Sequence, residues 1–313
     1  MACGVCFSDV HKIRFQPLDE PVVLGHEVAG RVVESRSAKF HVGDRVVVAH
    51  HVPCLRCHYC RHGNISMCAQ FKKTNLDPGG FAEFVRVPAE HVQSVAFPIP
   101  DGLKDNAASF MEPLGCCVRA VKRAGLQRSD VVILVGLGSI GLLLTQVIRH
   151  AGAECIGLDL DPGRRQFAQT LGATATFAGS EAGFEESLAA ATHGRGADAV
   201  FLTAGNPALV PTALSWLRAG GTCLVFASFH PESEVSLDWN QLYYREINIV
   251  TSYSASPADL GEALDLLANG SVRVAAMTEH TFPLERFSEA LAAIEGRAIL
   301  KAIMTPGLSE VDG

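Results

Sequence analysis

The chain has 313 residues, 48% of them hydrophobic and 19% charged, with 29 glycines, 15 prolines and only 7% aromatic residues, a composition that excludes disorder, collagen and coiled coil. Its length is roughly twice the ~150-residue domain prior and predicts two domains, each able to bury its own core. Acidic residues outnumber basic ones, 33 to 26, for a net charge of −7, so no basic field recommends the surface to nucleic acid or to an anionic membrane.

The opening MACGVCFSDVH has neither the basic nor the apolar region of a secretory signal, so a reducing cytoplasm is expected. In that compartment the ten cysteines read as thiols or metal ligands before disulfides. From residue 1 to about 125 the chain is punctuated by glycine and proline and is strand-like, as in HEVAGRVVE (26–34) and DRVVVAH (44–50), which predicts a compact barrel-like β domain. From residue 130 the texture alternates: strand 131–135, helix 139–151, strand 154–158, helix 162–171, a weaker strand near 174–177, strand 197–202, helix 207–218, and strands 222–226 and 247–251. Strands alternating with helices imply a parallel sheet covered on both faces. The uncharged run 131–148 mimics a membrane span, but Gly136, Gly138 and Gly141 interrupt it where a strand would turn into a helix. After Ser254 a helix is expected with Pro257 in its first turn, Leu260, Ala263, Leu264 and Leu267 on one face, and Gly270 past its end. A second amphipathic helix (about 284–294) and a strand (298–304) complete the chain, which shows no internal repeat or long linker.

Cys54, Cys57, Cys60 and Cys68 follow the pattern C-x2-C-x2-C-x7-C. Four thiolates this close can converge on one tetrahedral Zn²⁺, and a site with all four positions filled by protein is closed and structural. His50, His51, His58 and His62 flank the loop, but the thiolates satisfy a metal without them.

Residues 130–141 read DVVILVGLGSIG, an apolar strand entering the turn of Gly136, Gly138, Ser139, Ile140 and Gly141, followed by an apolar helix. Glycines there permit a tight turn and close approach of a pyrophosphate to the helix N-terminus, whose free N–H groups and dipole favour anions. The next strand, ECIGL, leads to Asp159, where a carboxylate can accept from the adenosine ribose hydroxyls. That carboxylate repels a 2′-phosphate and argues for NAD over NADP, a preference that Arg164 and Arg165, just downstream, weaken.

Cys6, Ser8, Asp9 and His11 lie in GVCFSDVH, and Gly25-His26-Glu27 follows. A thiolate and an imidazole are two ligands, while a catalytic zinc needs a third and an open position. Glu112, in FMEPLG, leads for that third place, with Glu27 and Cys116 in competition.

GVCFSDVH, GHEVAG, the four-cysteine loop, GGFAEFVRVP, EPLGC and VGLGSIG, in that order, resemble the zinc-dependent medium-chain alcohol dehydrogenases over essentially the whole chain, and within them the sorbitol and threonine dehydrogenase branch. The resemblance implies an α/β plus β fold: a GroES-like β-barrel-type catalytic domain (1–115), a doubly wound Rossmann NAD-binding domain (116–254), and a C-terminal return to the catalytic domain (255–313). It implies Cys6, His26 and Glu112 as catalytic zinc ligands, with Glu27 beside the metal, and Asp9 orienting His26. Ser8 and His11 match the family's proton relay. Gly136, Gly138, Gly141 and Asp159 match its cofactor residues, and Lys301 matches a basic residue near the pyrophosphate. The implied reaction transfers a hydride from a secondary alcohol or polyol to NAD, in a homodimer or homotetramer. Cys6 stands near the start of the sequence, where the family ordinarily carries opening strands ahead of it. The alternative expectation is therefore a catalytically silent NAD(H)-binding protein that keeps only the structural zinc.

Overall fold

The structure, a computed structural model, describes residues 1–15, 20–179 and 182–307, so residues 308–313 of the expected C-terminal return lie outside the described residues. It divides into two units, Met1–Gly115 together with Ser254–Gly313, and Cys116–Tyr253. In chain order the first unit contributes β1 (Ala2–Gly4), α1 (Phe7–Phe15), β2 (Glu27–Arg31), β3 (Arg45–Ala49), the short helices α2 (His58–Arg61), α3 (Ala69–Lys73) and α4 (Ala89–Ser94), β4 (Ala96–Pro98) and α5 (Asp105–Ala108). After α6 (Met111–Ala124) come β5 (Val131–Val135), α7 (Ser139–His150), β6 (Glu154–Leu158), α8 (Pro162–Thr170), β7 (Ala175–Phe177), α9 (Ala182–Thr192), β8 (Ala197–Leu202), α10 (Leu209–Trp216), β9 (Leu217–Val225), α11 (Trp239–Tyr244) and β10 (Asn248–Thr251). The chain ends through α12 (Pro257–Ala268), β11 (Thr281–Pro283), α13 (Phe287–Glu295) and β12 (Ile303–Thr305).

In the first unit the sheet order is β11-β12-β1-β2-β3-β4, antiparallel at every pair except β11 with β12. The short β1 is the hinge of this arrangement, because Gly4 pairs with Glu27 on one side and with Ile303 on the other. Residues from the two ends of the sequence therefore meet at one end of the sheet. Cys3, Val28, Val48 and Ala96 pack on Phe40 and Leu76 in one apolar cluster, and Val5, Ala290, Ala302 and Met304 form another. Full burial of a valine such as Val28 or Val48 contributes roughly 1.5–3 kcal/mol.

In the second unit the order is β10-β9-β8-β5-β6-β7 and every pair is parallel. All five residues of β5 are buried, as befits a central parallel strand covered on both faces. Strand order reverses at β5, with β6 on one side and β8 on the other, so the glycine turn that follows β5 sits at a topological switch point. Local signals set the helix starts. The Asp161 carboxylate accepts from Arg164 N with Pro162 at the first helical position, and Ser256 and Asp259 form a reciprocal capping box before α12.

Several boundaries differ from the sequence expectation. Strand 26–34 stops at Arg31, where Val32 N donates to Asp44 O and Gly43 N to Val32 O in a turn. Helix 207–218 ends at Trp216 and passes directly into β9, which is longer than 222–226. Strand 298–304 shortens to Ile303–Thr305, and helix 284–294 opens as a 3-10 turn before α13. Helices α1, α6 and α9 were not anticipated; α1 has weak periodicity, with Phe7 and Phe15 both exposed. Among the described residues no helix is long and apolar enough to cross a membrane, and 131–148 resolves into β5 and α7.

Candidate functional site

The cysteine loop gathers first. Ligand atoms of Cys54, Cys57, Cys60 and Cys68 all lie within 4.8 Å of one another, over a small apolar base of Ile65 and Phe71. Backbone N–H groups point at the sulfurs: Cys54 N donates to Cys68 Sγ and Cys57 N to Cys54 Sγ, each at 3.4 Å. Burial works against the Cys68 thiolate, yet donors from Cys54, Phe71 and Gln70 bring it to about 6. Cys60 is pushed up to about 12 by burial and by the thiols of Cys57 and Cys68. Four sulfurs gathered this closely, with amide donors already aimed at two of them, are a donor set that a dication completes.

The second group forms where β1, β2 and the loop before α1 meet. Cys6, His26 and Glu27 place their ligand atoms within 4.8 Å of one another. Asp9, fully buried on α1, ties them together: Oδ2 accepts from Cys6 N at 3.1 Å, and Oδ1 lies 3.2 Å from His26 Nδ1 and 3.4 Å from Gly25 N. Burial opposes ionisation of Asp9, but the hydrogen bond and charge of His26 together with the N–H donors of Cys6 and Gly25 outweigh it and hold the carboxyl below its usual value. Burial likewise opposes charge on His26, while Asp9 and Cys6 draw its pKa well upward. With Nδ1 on Asp9, Nε2 of His26 is the nitrogen left to ligate.

Glu27 is buried against Lys301, whose Nζ donates to Oε1 at 2.6 Å and lies 2.5 Å from Oε2. Oε2 nevertheless has no hydrogen-bond partner of acceptable geometry. A Cβ on Gly4 would fall 1.9 Å from that oxygen, so glycine at β1 opens the space the carboxylate occupies. A buried carboxylate beside a thiol and an imidazole, with ligand atoms this close together, is a donor set that fits a zinc ion.

Glu112 is buried in the first turn of α6 and does not join the close group of Cys6, His26 and Glu27. Lys301 is a buried residue of the first unit whose ammonium pairs with Glu27, because β1 and β12 pair side by side. Ser8 and His11 lie on α1, with Ser8 exposed and the His11 ring 5.1 Å from Phe15. His50, which the sequence presents only as a neighbour of the cysteine loop, has its ring 4.6 Å from that of His26.

The second unit builds the glycine turn as a cradle. Gly136 has φ +95°, and a Cβ on Gly141 would lie 2.0 Å from Gly136 O, so α7 packs hard against the turn. Around Gly138 the nearest heavy atom to such a Cβ is Arg164 Nη1 at 4.0 Å, which leaves the backbone approachable. Ser139 Oγ, in the first turn of the twelve-residue α7, is buried without a partner. Ile140 follows it in that turn. Asp159 Oδ2 accepts from Leu137 N at 2.7 Å and Oδ1 from Asp161 N at 2.9 Å, so the carboxylate after β6 is fixed to the turn. Arg165 Nη1 donates to the carbonyls of Asp159 and Leu160, and Arg164 N is capped by Asp161. The open Gly138 backbone, the orphaned Ser139 hydroxyl and the fixed carboxylate fit a dinucleotide.

Comparisons with known proteins agree with both halves. Residues 1–101 match the alcohol dehydrogenase GroES-like domain and residues 139–269 match the zinc-binding dehydrogenase family. The chain is 31% identical to a sorbitol dehydrogenase of Halalkalibacterium halodurans over 310 residues, covering 97% of this chain and 89% of that protein. It is 32% identical to a D-arabitol-phosphate dehydrogenase of Enterococcus avium, covering 95% and 86% respectively. The crystal structure of L-idonate 5-dehydrogenase from Escherichia coli superposes with a TM-score of 0.82 at 26% identity, covering 97% of this chain and 89% of that one.

Proposed function

Because the chain belongs to the zinc-dependent medium-chain alcohol dehydrogenase family, with a GroES-like unit, a Rossmann unit and alcohol oxidoreduction as its activity, we propose that it oxidises a secondary alcohol or polyol with NAD in preference to NADP. The observation that carries the reading is the convergence of Cys6, His26 and Glu27 at one point of the first unit. Nothing favours a catalytically silent role. When bound, zinc supplies the Lewis acidity that eases loss of an alcohol proton, and the nicotinamide supplies a hydride acceptor.

The chain's own residues do the positioning. Asp9 fixes the tautomer and angle of His26, and through Cys6 N it also fixes the loop carrying the thiolate. Lys301 holds Glu27 in place and balances its charge. Ser8 and His11, three residues apart on α1, would pass the alcohol proton outward, since a hydroxyl and an imidazole can each accept a proton on one side and release one on the other. The four cysteines would hold the structural zinc. Asp159 would accept from the ribose hydroxyls and turn away a 2′-phosphate, with Arg164 beside the turn.

Ten free cysteines, four of them gathered as metal ligands, suit a reducing compartment, the cytoplasm. The sheet edge at β10, which carries the exposed Ile249 and is flanked in the chain by the exposed Trp239, Tyr243, Tyr244 and Tyr253, is the surface through which copies of the chain would associate; a monomeric mass by light scattering would refute this.

The test is zinc content together with turnover. Protein purified without chelator should carry about two zinc ions per chain and reduce NAD with a polyol panel. NADP should be used at least tenfold less well, and Asp159→Asn should narrow that gap. Equal use of both cofactors by the parent protein would remove the NAD assignment.

A further inference from the structure

His50 directly follows β3 and His26 directly precedes β2, so the Glu27–Ala49 register makes the two histidines neighbours across the strand ends. The His50 ring lies 4.6 Å from that of His26 and 3.8 Å from that of His51. Its backbone is anchored, since the His50 carbonyl accepts from His91 Nε2 at 2.9 Å. The neighbouring imidazoles have each spent a nitrogen: His26 Nδ1 on Asp9, His51 Nδ1 on Thr74 O, and His91 Nε2 on His50 O. Neither ring nitrogen of His50 has a hydrogen-bond partner among the described residues, and Nδ1 is buried. A phenylalanine or leucine would fill this space without leaving a buried polar atom unpaired. The unspent nitrogen therefore has a use outside the fold, and its place beside a candidate zinc ligand puts that use at the reacting end of the first unit.

We propose that His50 is a specificity-determining residue of the Cys6–His26–Glu27 site, hydrogen-bonding an oxygen on the carbon next to the one oxidised, so that vicinal diols and polyols are preferred to simple alcohols. This rests on the dehydrogenase reading above. A neutral imidazole both donates and accepts, which matches a hydroxyl. A pocket that spends a buried polar group on a substrate hydroxyl rejects the analogue lacking it, because the protein group is then left unpaired. The reaction itself is unchanged: the carbinol carbon gives its hydride to NAD, and the hydroxyl proton goes to solvent.

The test compares propane-1,2-diol with butan-2-ol, which puts a methyl where the diol has its second hydroxyl, using zinc-loaded protein and NAD. The parent protein should favour the diol in kcat/KM by about tenfold or more. His50→Phe should abolish most of that ratio through a raised KM for the diol, and His50→Asn, which keeps a donor and an acceptor, should restore part of it. Zinc content and NADH binding report that each variant is folded. A merely structural role would lower both substrates together, and an unchanged ratio or a parallel fall in His50→Phe overturns the proposal. If the parent protein oxidises neither alcohol, the dehydrogenase reading fails separately. Equilibrium binding of the same two alcohols to the zinc-loaded, NADH-saturated protein then decides: equal affinities overturn the role of His50, and a diol preference lost in His50→Phe sustains it.

Discussion

Replacing Asp9 by asparagine keeps its size but removes one acceptor from a place where three donors converge. Cys6 N approaches Oδ2 at 3.1 Å, while Gly25 N and His26 Nδ1 approach Oδ1 at 3.4 and 3.2 Å. An amide has a single acceptor oxygen, so its NH2 must face either the Cys6 N–H or the Gly25 and His26 pair. A buried donor left unpaired costs about 1–3 kcal/mol, and hydrogen bonds to charged groups contribute about 1.5–3 kcal/mol, so Asp9→Asn should lose about 2–3 kcal/mol of stability. The effect on metal is sharper. His26 can present Nε2 only while Nδ1 is held, and loss of such a partner typically lowers metal affinity or activity about 10–100-fold. Zinc-loaded parent and variant would be dialysed against a graded weak chelator and zinc per chain read by elemental mass spectrometry. Both should keep the zinc of the cysteine loop, and the variant should release its second zinc at roughly 10–100-fold lower chelator strength, with turnover falling alongside. An Asp9→Asn protein that holds two zincs as tightly as the parent and turns over equally fast refutes the claim that Asp9 orients His26.

Other consequences are as direct. Cys6→Ser should abolish alcohol oxidation while NADH binding, read by fluorescence, stays within about twofold, because the dinucleotide cradle is built wholly from the second unit. Gly141→Ala should weaken NADH binding by at least about tenfold without changing zinc content, since its Cβ would meet backbone, Gly136 O at 2.0 Å, rather than a side chain that can turn aside. Acid should destabilise the first unit through His51, which burial pushes down to about 4 although its bond to Thr74 O opposes this. Above about pH 6.5 neither folded nor unfolded His51 is charged; between there and about pH 4 only the unfolded chain takes the proton, so stability falls as pH falls, by about 2 kcal/mol at pH 5. Urea midpoints at pH 7 and pH 5 should show that loss in the parent and less of it in His51→Gln; an equal loss in both would remove His51 as the cause.

The second unit was largely legible in the sequence because its signals are local. Strand β5 reads as an unbroken apolar run since helices cover both its faces, and Pro162, Asp161, Pro257 and Ser256 announce helix starts through bonds made within a few residues. Helices α1, α6 and α9 lacked such announcements. In α1 the exposed Phe7 and Phe15 blur the amphipathic pattern, and the buried Asp9 ties the helix both to Cys6 N just before it and to Gly25 and His26 on a separate segment, which no local pattern announces. The end of β9 nearest α10 differs from the sequence expectation because the apolar run starts only after Gly220 and Gly221, whereas pairing with β8 extends the strand back to Leu217.

By itself the sequence determined those features in which the cooperating residues are close in the chain: the four-cysteine loop, the glycine turn with Asp159, and the alternation that makes a parallel sheet. Their geometry follows from short spacing, so spacing alone carries the chemistry. Tertiary structure alone decided that Glu27 rather than Glu112 stands with Cys6 and His26, that Lys301 serves Glu27, and that His50 lies on His26. Lys301 and Glu27 are 274 residues apart, and only the pairing of β1 with β2 and β12 brings them together. A buried carboxylate needs a counter-charge wherever the sheet register delivers one, and register is a property of the assembled strands that no local pattern records.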